Sequence, residues 1–135
     1  MIQSVKLGKE HVVVTANKVG ALSKVTSILA DHGIDILAIS AQVAGGVALM
    51  NLVTDDPLRT KDLLAKGGFK AQENGVLLLE VEDKPGVLMR VTKKLAARNV
   101  DILNVYASAP VSYGPCLLVI STNHNEKALV TLRKK

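Results

Sequence analysis

Aromatic side chains are almost missing from this chain. They make up 2% of its 135 residues, as Phe69, Tyr106 and Tyr113, and tryptophan is absent. Sheet-type RNA binders stack bases on aromatic platforms, so this scarcity counts against them. A formal charge of +5 invites a nucleic-acid reading, because neutralising phosphates supplies most non-specific affinity. The lysines and arginines are scattered, however, apart from Arg133-Lys134-Lys135, and solvated cations with no nucleic-acid partner are the better reading. A single cysteine, Cys116, excludes an internal disulfide and offers no cluster of metal ligands. No apolar run approaches the roughly 18 residues of a membrane span. The opening Met1-Ile2-Gln3-Ser4-Val5-Lys6 lacks the basic head, apolar stretch and cleavage site of a secretory signal. The expectation is a cytoplasmic protein with no membrane partner.

Catalytic signatures are missing too. There is no Gly-x-Ser-x-Gly, no phosphate-cradling P-loop and no His/Cys cluster. His11, His32 and His124 fall at a strand start, a helix end and a loop, and are expected to face solvent rather than act as general bases. Cys116 lies in an apolar strand and is expected to be inert core, since burial raises a thiol pKa. No catalytic residue, metal or cofactor is predicted, and the protein does not read as an enzyme.

What the chain has instead is an internal echo. Asp83-Lys84-Pro85-Gly86-Val87-Leu88 is preceded, 66 residues earlier, by Asn17-Lys18-Val19-Gly20-Ala21-Leu22. Laying 12–43 on 78–109 at that offset gives 11 identities in 32 pairs, among them Gly20/Gly86, Val25/Val91, Leu29/Leu95, Asp35/Asp101 and Ile36/Ile102. Glycine, core leucine and one acid recur in register, which marks a duplicated unit. The chain therefore divides at 1–73 and 74–135. Units this small are marginal alone and should lean on each other or on a second chain.

Within the first repeat, Val12-Val13-Val14-Thr15 is β-branched and reads as a strand. Leu22, Val25, Ile28 and Leu29 recur at helical spacing, giving a helix over 20–32 that Gly33 ends. From Asp35 to Val43 the residues alternate, with Leu37, Ile39, Ala41 and Val43 on one side. Gly45-Gly46 turns that strand into a partner over 47–53. Asp56-Pro57 starts a second helix carrying Leu63 and Leu64, which Gly67-Gly68 stops. Phe69 to Gln72 is a short strand, and Asn74-Gly75 suggests a tight hairpin into the second repeat.

The second repeat restates the order, with strands at 76–81, 101–109 and 116–121, a helix at 86–97 and a last helix capped by Asn123 or Asn125. Its longer hairpin carries Pro110, Tyr113, Gly114 and Pro115, with Tyr113 a hairpin tip or a lid over a ligand. Its fourth strand is missing. Ile2 to Leu7 is the unassigned strand-like segment, and it is expected to fill the vacant edge of the second repeat. An opposing reading makes it a frayed terminus or an extension of the first strand, with Gly8 as the break.

Each repeat is thus strand-helix-strand-strand-helix-strand, an α+β fold of two ferredoxin-like βαββαβ units whose antiparallel sheets carry helices on one face. Val76 to Leu79 and Cys116 to Ile120 are nearly continuous apolar runs of the kind buried on both faces. They predict cover from the other repeat or from a second chain, hence a homodimer.

A first strand ending in Asn/Asp-x-x-Gly-x-Leu, with a second opening Gly-Ile-Asp-Ile or Asn-Val-Asp-Ile, resembles the ACT domain, the small-ligand regulatory module of amino-acid metabolism. The two copies together resemble the stand-alone tandem ACT proteins over about 12–132. Asp83-Lys84-Pro85-Gly86-Val87-Leu88 fits the family motif closely, whereas the first copy has Val19 in place of proline. The resemblance implies a non-catalytic regulatory protein that binds a free amino acid at an inter-domain or dimer seam and acts on a metabolic enzyme. The implied ligand residues are Asn17, Val19, Gly20, Ala21, Leu22, Asp35 and Ile36, with Asp83, Pro85, Gly86, Val87, Leu88, Asp101 and Ile102.

The residues themselves give a reason. A glycine opening a helix lets a ligand approach the main chain, free N–H groups there favour a carboxylate, and Asn17, Asp83, Asp35 and Asp101 can accept from an ammonium. The same Asn and Asp are also ordinary caps and turn formers. Two alternatives stand beside this reading: a ligand-free interaction or dimerisation protein and, less favoured, an RNA-binding ferredoxin-like protein.

Overall fold

A computed structural model describes residues 1–108 and 114–134; Pro110 and Tyr113 of the expected hairpin, the end of the strand expected at 101–109, and Lys135 lie outside the described residues. The order is β1(Ile2–Ala16), α1(Ala21–Asp31), β2(Ile36–Ala44), β3(Val47–Thr54), α2(Pro57–Lys66), β4(Ala71–Val81), α3(Val87–Ala97), β5(Ile102–Ala107), β6(Cys116–Thr122) and α4(Asn125–Arg133).

The helix ends follow their local chemistry. Gly33 takes φ +71° and lets the Ile34 N–H turn back to the Leu29 carbonyl at 3.0 Å, closing α1. At the matching place after α3, Asn99 takes φ +59°, and the Val100 N–H reaches the Leu95 carbonyl at 2.9 Å. Asparagine is one of the few side chains that tolerates this conformation. Asp56 caps α2 by accepting from the Arg59 N–H at 3.2 Å, with Pro57 at the first turn. The cap of α4 is neither expected asparagine but His124, whose Nδ1 accepts from the Lys127 N–H at 3.1 Å. Asn123 instead accepts from the Asp101 N–H, and Asn125 accepts from Thr122 and donates to the Gly75 carbonyl.

Two expected breaks are absent. β1 runs straight through Gly8, which serves as a site of close approach: a Cβ there would stand 2.5 Å from Leu78 Cδ1. Asn74-Gly75 forms no hairpin either, because Gly75 does not take the positive φ such a turn requires, and β4 continues through it.

The structure consequently divides the chain differently from a cut at 73/74. One unit is Lys9–Asn74; the other joins Met1–Gly8 to Gly75–Lys135. In the first, the strand order is β2, β3, the later part of β1, then the start of β4. β2 and β1 both pair antiparallel with β3. Its core is Val13, Val25, Leu29, Ile34, Met50, Leu52 and Leu64 with neighbouring alanine. In the second, the order is β5, β6, the later part of β4, then the start of β1, with β4 and β5 antiparallel to β6.

Each unit is a ferredoxin-like βαββαβ arrangement, and residues 2–8 supply the edge strand that the second repeat lacks. The Glu82 N–H donates to the Met1 carbonyl at 2.9 Å, so the start of β1 meets the end of β4. Met1, Ile2 and Val5 pack partly buried on the core of Leu77, Leu79, Val91, Leu95, Ile120 and Leu132. A strand position left empty beside β4 exposes unpaired backbone groups, and an apolar N-terminal strand satisfies them.

Val76, Leu77, Leu79, Val119 and Ile120 are buried in the single chain, so this burial by itself does not call for a second copy. One more expectation is corrected. His11, expected in solvent, is wholly buried opposite Leu52, because the period-2 alternation of β1 turns it, like Val13, toward the core. Neither ring nitrogen has a hydrogen-bond partner. Burial holds its pKa below the ordinary 6.5; Glu73 and Glu10 oppose that shift and Lys61 adds to it. His32 and His124 are exposed.

Candidate functional site

The turn from β1 into α1 is shaped by Gly20, which sits at the helix N-cap with φ +88° and no capping side chain. Asn17 is therefore not the cap. Its N–H donates to the Gly46 carbonyl at 3.1 Å, tying the loop to the β2–β3 hairpin, while the Ala21 N–H donates to Lys18 at 3.1 Å. Hairpin residues Gly45 and Gly46 hold φ +59° and +77°, the pair that a two-residue turn requires. The N–H groups of Leu22 and Ser23, in the first helical turn, lack the intrahelical acceptor available to later residues. A Cβ built on Gly20 meets nothing within 4 Å, so the ground before this helix end is open.

That opening leads into a groove of about 380 Å³, walled by Asn17, Gly20, Ala21 and Leu22 on one side and by Ala41, Val43, Ala48 and Met50 on the other. Ala41 lies opposite Met50, and Val43 opposite Ala48, so all four strand residues share one sheet face. Val43 is 58% exposed and Leu22 40%, which leaves a groove apolar yet reachable from solvent. Val19, where the family motif has proline, points its side chain fully into solvent.

Asp35 and Ile36 do not join this groove. They lie beyond the far end of α1, an 11-residue helix and hence about 16 Å long. There the Asp35 N–H donates to Asp55 Oδ1 at 3.0 Å and the Asp55 N–H returns to the Asp35 carbonyl at 3.1 Å. Asp101 makes the same closure with Asn123, at 2.9 and 3.0 Å, next to Ile102 at the start of β5. This pairing holds the start of one strand to the end of its neighbour. The side-chain carboxylates of Asp35 and Asp101 themselves stay on exposed residues.

The second copy of the loop repeats the backbone geometry. Gly86 is the N-cap of α3 at φ +89° without a side-chain cap, and the Arg90 N–H closes the first turn on its carbonyl at 3.0 Å. Asp83, Pro85 and Leu88 are exposed while Val87 is 4% exposed and joins the core. Lys84 and the N-terminal ammonium both pair with Glu82, at 2.7 and 3.3 Å. They hold its carboxyl below the usual range, the Lys84 hydrogen bond contributing most. Cys116 is partly buried and packs against the core of the second unit, as its apolar strand suggested. Burial, then the charge of Asp83 and a hydrogen bond to it, push the thiol pKa up. Among the described residues no group of three or more His, Cys, Asp or Glu is placed to hold a metal ion, and no helix is long and apolar enough to cross a membrane.

Of the residues expected in the first loop, Asn17, Gly20, Ala21 and Leu22 line the groove and Val19 does not, and the opposite wall lies outside the sequence reading. The alternation of Ala41 and Val43 placed them on one face of a strand; nothing local said that α1 would begin opposite them.

Comparison with known proteins places the first unit. Residues 12–66 match the ACT domain family, against the span of about 12–132 over which the sequence resemblance runs. Among curated proteins nothing matches. A protein of known structure from Bacteroides thetaiotaomicron superposes with a TM-score of 0.87 at 23% identity, covering 96% of this chain and 88% of its own. The ligand-free regulatory subunit of aspartate kinase from Thermus thermophilus gives 0.66 at 18%, covering 98% and 97%. The corresponding regulatory subunit from Thermus flavus gives 0.60 at 18%, covering 97% and 95%. At these identities the likeness is one of fold, the ferredoxin-like arrangement of the ACT domain.

Proposed function

We propose that the chain is a tandem ACT protein, a non-catalytic module that binds a free amino acid and passes the event to an enzyme of amino-acid metabolism. One observation carries this reading: a left-handed glycine at an uncapped helix start, facing an open, largely apolar groove. The bound carboxylate takes the N–H groups of the first turn of α1, where the helix dipole favours negative charge. The apolar wall of Ala41, Val43 and Met50 receives an aliphatic side chain. Asn17 and, in the second copy, Asp83 accept from the ammonium. Gly20, Ala21 and Leu22, with Gly86, Val87 and Leu88, form the two loops, and Val19 and Pro85 set their stiffness. Asp35, Ile36, Asp101 and Ile102 contribute to a seam with another ACT unit.

The regulatory subunits of aspartate kinase among the structural relatives fit a role beside an enzyme. Binding acts by favouring one arrangement of units over another, which requires different affinity for the two. The protein works in the cytoplasm as a homodimer. The exposed apolar residues Ile39 and Val43 on edge strand β2, and Leu103 and Val105 on edge strand β5, support a second copy there, since such edges are templates for pairing. They equally favour a second reading, an interaction protein with empty sites.

Thermal-shift screening against the twenty amino acids separates the two. A ligand at 100 times its Kd stabilises by about 2.7 kcal/mol, and Gly20→Val should abolish that shift in the first loop, since valine at positive φ is strained and fills the approach. Gly86→Val is the matched test. If no amino acid moves the melting temperature, the binding reading fails and the interaction reading stands.

A further inference from the structure

One cavity of the second unit does not belong to the groove described above. It is about 600 Å³ and lies between the start of β1, one side of α3 and the end of α4. Its apolar lining includes Ile2, Val5, Val91 and Leu132, and four cations border it: Arg90, Lys94, Arg133 and Lys134. The ion pairs of Glu82 with Lys84 and with the N-terminal ammonium involve none of these four. Their contacts go elsewhere: Arg90 Nη1 to Met1 Sδ at 2.7 Å, Lys94 Nζ to the Lys134 carbonyl at 2.6 Å, and Arg133 Nη2 to the Val5 carbonyl at 3.4 Å.

The duplication explains why this space is open. At the 66-residue offset Lys24 corresponds to Arg90 and Ile28 to Lys94. In the first unit the turn after α2 crosses the equivalent cleft. Phe69 stands under the Lys24 ammonium, 5.3 Å from it, and Ile28 lies so close to Gly67 that a Cβ there would come within 2.6 Å. The space left is about 320 Å³. In the second unit the edge strand comes from residues 2–8, so among the described residues no such turn or aromatic fills the cleft. A lysine replaces the isoleucine instead.

We propose that this cavity binds a small organic anion of at least two negative charges on an apolar body, a phosphate ester or a dicarboxylate. Its volume is that of a small-molecule site. The planar guanidinium of Arg90 suits bidentate recognition of either anion, and among the described residues no carboxylate lines the cavity to compete for it. This inference does not rest on the amino-acid reading, and uses a different cleft.

The test is a titration of the 15N-labelled full chain, followed by NMR, with phenyl phosphate and phenylsuccinate in parallel. Inorganic phosphate and benzyl alcohol serve as probes of each half of the ligand. Saturable shifts are expected at Ile2 to Val5 and Val87 to Lys94. Whichever of the two anions binds more tightly identifies the headgroup. Inorganic phosphate should bind at least tenfold more weakly, and benzyl alcohol not at all. Arg90→Ala should weaken binding by about tenfold, and Lys94→Gln, at a half-buried stem, gives a second reading should the first variant fail to fold. Lys24→Ala should change nothing. Equal affinity for inorganic phosphate, shifts spread evenly over every lysine, or binding of an acidic peptide with neither small anion would overturn the proposal.

Discussion

Deleting residues 1–8 should weaken the second unit far more than the first. The segment supplies the edge strand beside β4, and Met1, Ile2 and Val5 are its partly buried contribution to the core. Fully burying such a side chain stabilises by about 1.5–3 kcal/mol. At partial burial each gives about 1 kcal/mol, so the deletion forfeits roughly 3 kcal/mol of apolar contact. Backbone pairing adds to that, while the entropy of ordering eight residues subtracts from it. Against a domain stability of about 5–15 kcal/mol, lowest for small units, this is a large share. At 1.4 kcal/mol per decade, amide exchange at Val76 to Val81 should accelerate by about a hundredfold when it follows unit opening. The reference amides are those of Met50 and Leu52, in the core of the other unit. Val5→Asp, which buries a charge beside the same core, should move the same amides in the full-length chain. Unchanged protection at Val76 to Val81, or equal loss at Met50 and Leu52, would refute the assignment of this strand.

Two further outcomes follow from the local chemistry. Asp55→Ala removes the acceptor of the Asp35 N–H, and Asn123→Ala that of the Asp101 N–H; both bonds are exposed, so each variant should cost about 0.5–1 kcal/mol, measured by urea unfolding, and a cost above about 2 kcal/mol would mean these residues do more than close the strand ends. Because burial lowers the His11 pKa from 6.5, the unfolded chain takes up the proton first as pH falls, so stability is intact above about 6.5 and is lost on acidification toward the lower folded value. His11→Leu should flatten the fall in melting temperature between about pH 7.5 and 5.5, and an identical slope in both proteins would remove His11 from the acid response.

The duplication, the helices and most strands were legible because they rest on short-range chemistry. Helical spacing of Val25 and Leu29, alternation in β2, and glycine at 33, 45, 46 and 68 each answer to the backbone within a few residues. The repeat even allowed a missing strand to be counted, and Ile2 to Leu7 was the segment left to supply it. Gly20 and Gly86 were readable for the same reason, since their place before an amphipathic run implies a helix start.

Only the tertiary structure decided which surfaces those elements face. Gly8 and Asn74-Gly75 carry turn chemistry but lie within long strands, because a weak local preference yields to the strand context. His11 left its expected place, because strand alternation turns it into the core, whereas Cys116 at the start of β6 packs partly buried against the core, beside Asp83. Asp35, 15 residues from Gly20 in sequence, is carried to the far end of α1, whereas Ala41 and Met50 return to face the loop. Sequence determines what each short segment can form; the wall of a groove is set by packing between segments that know nothing of one another until the chain has folded.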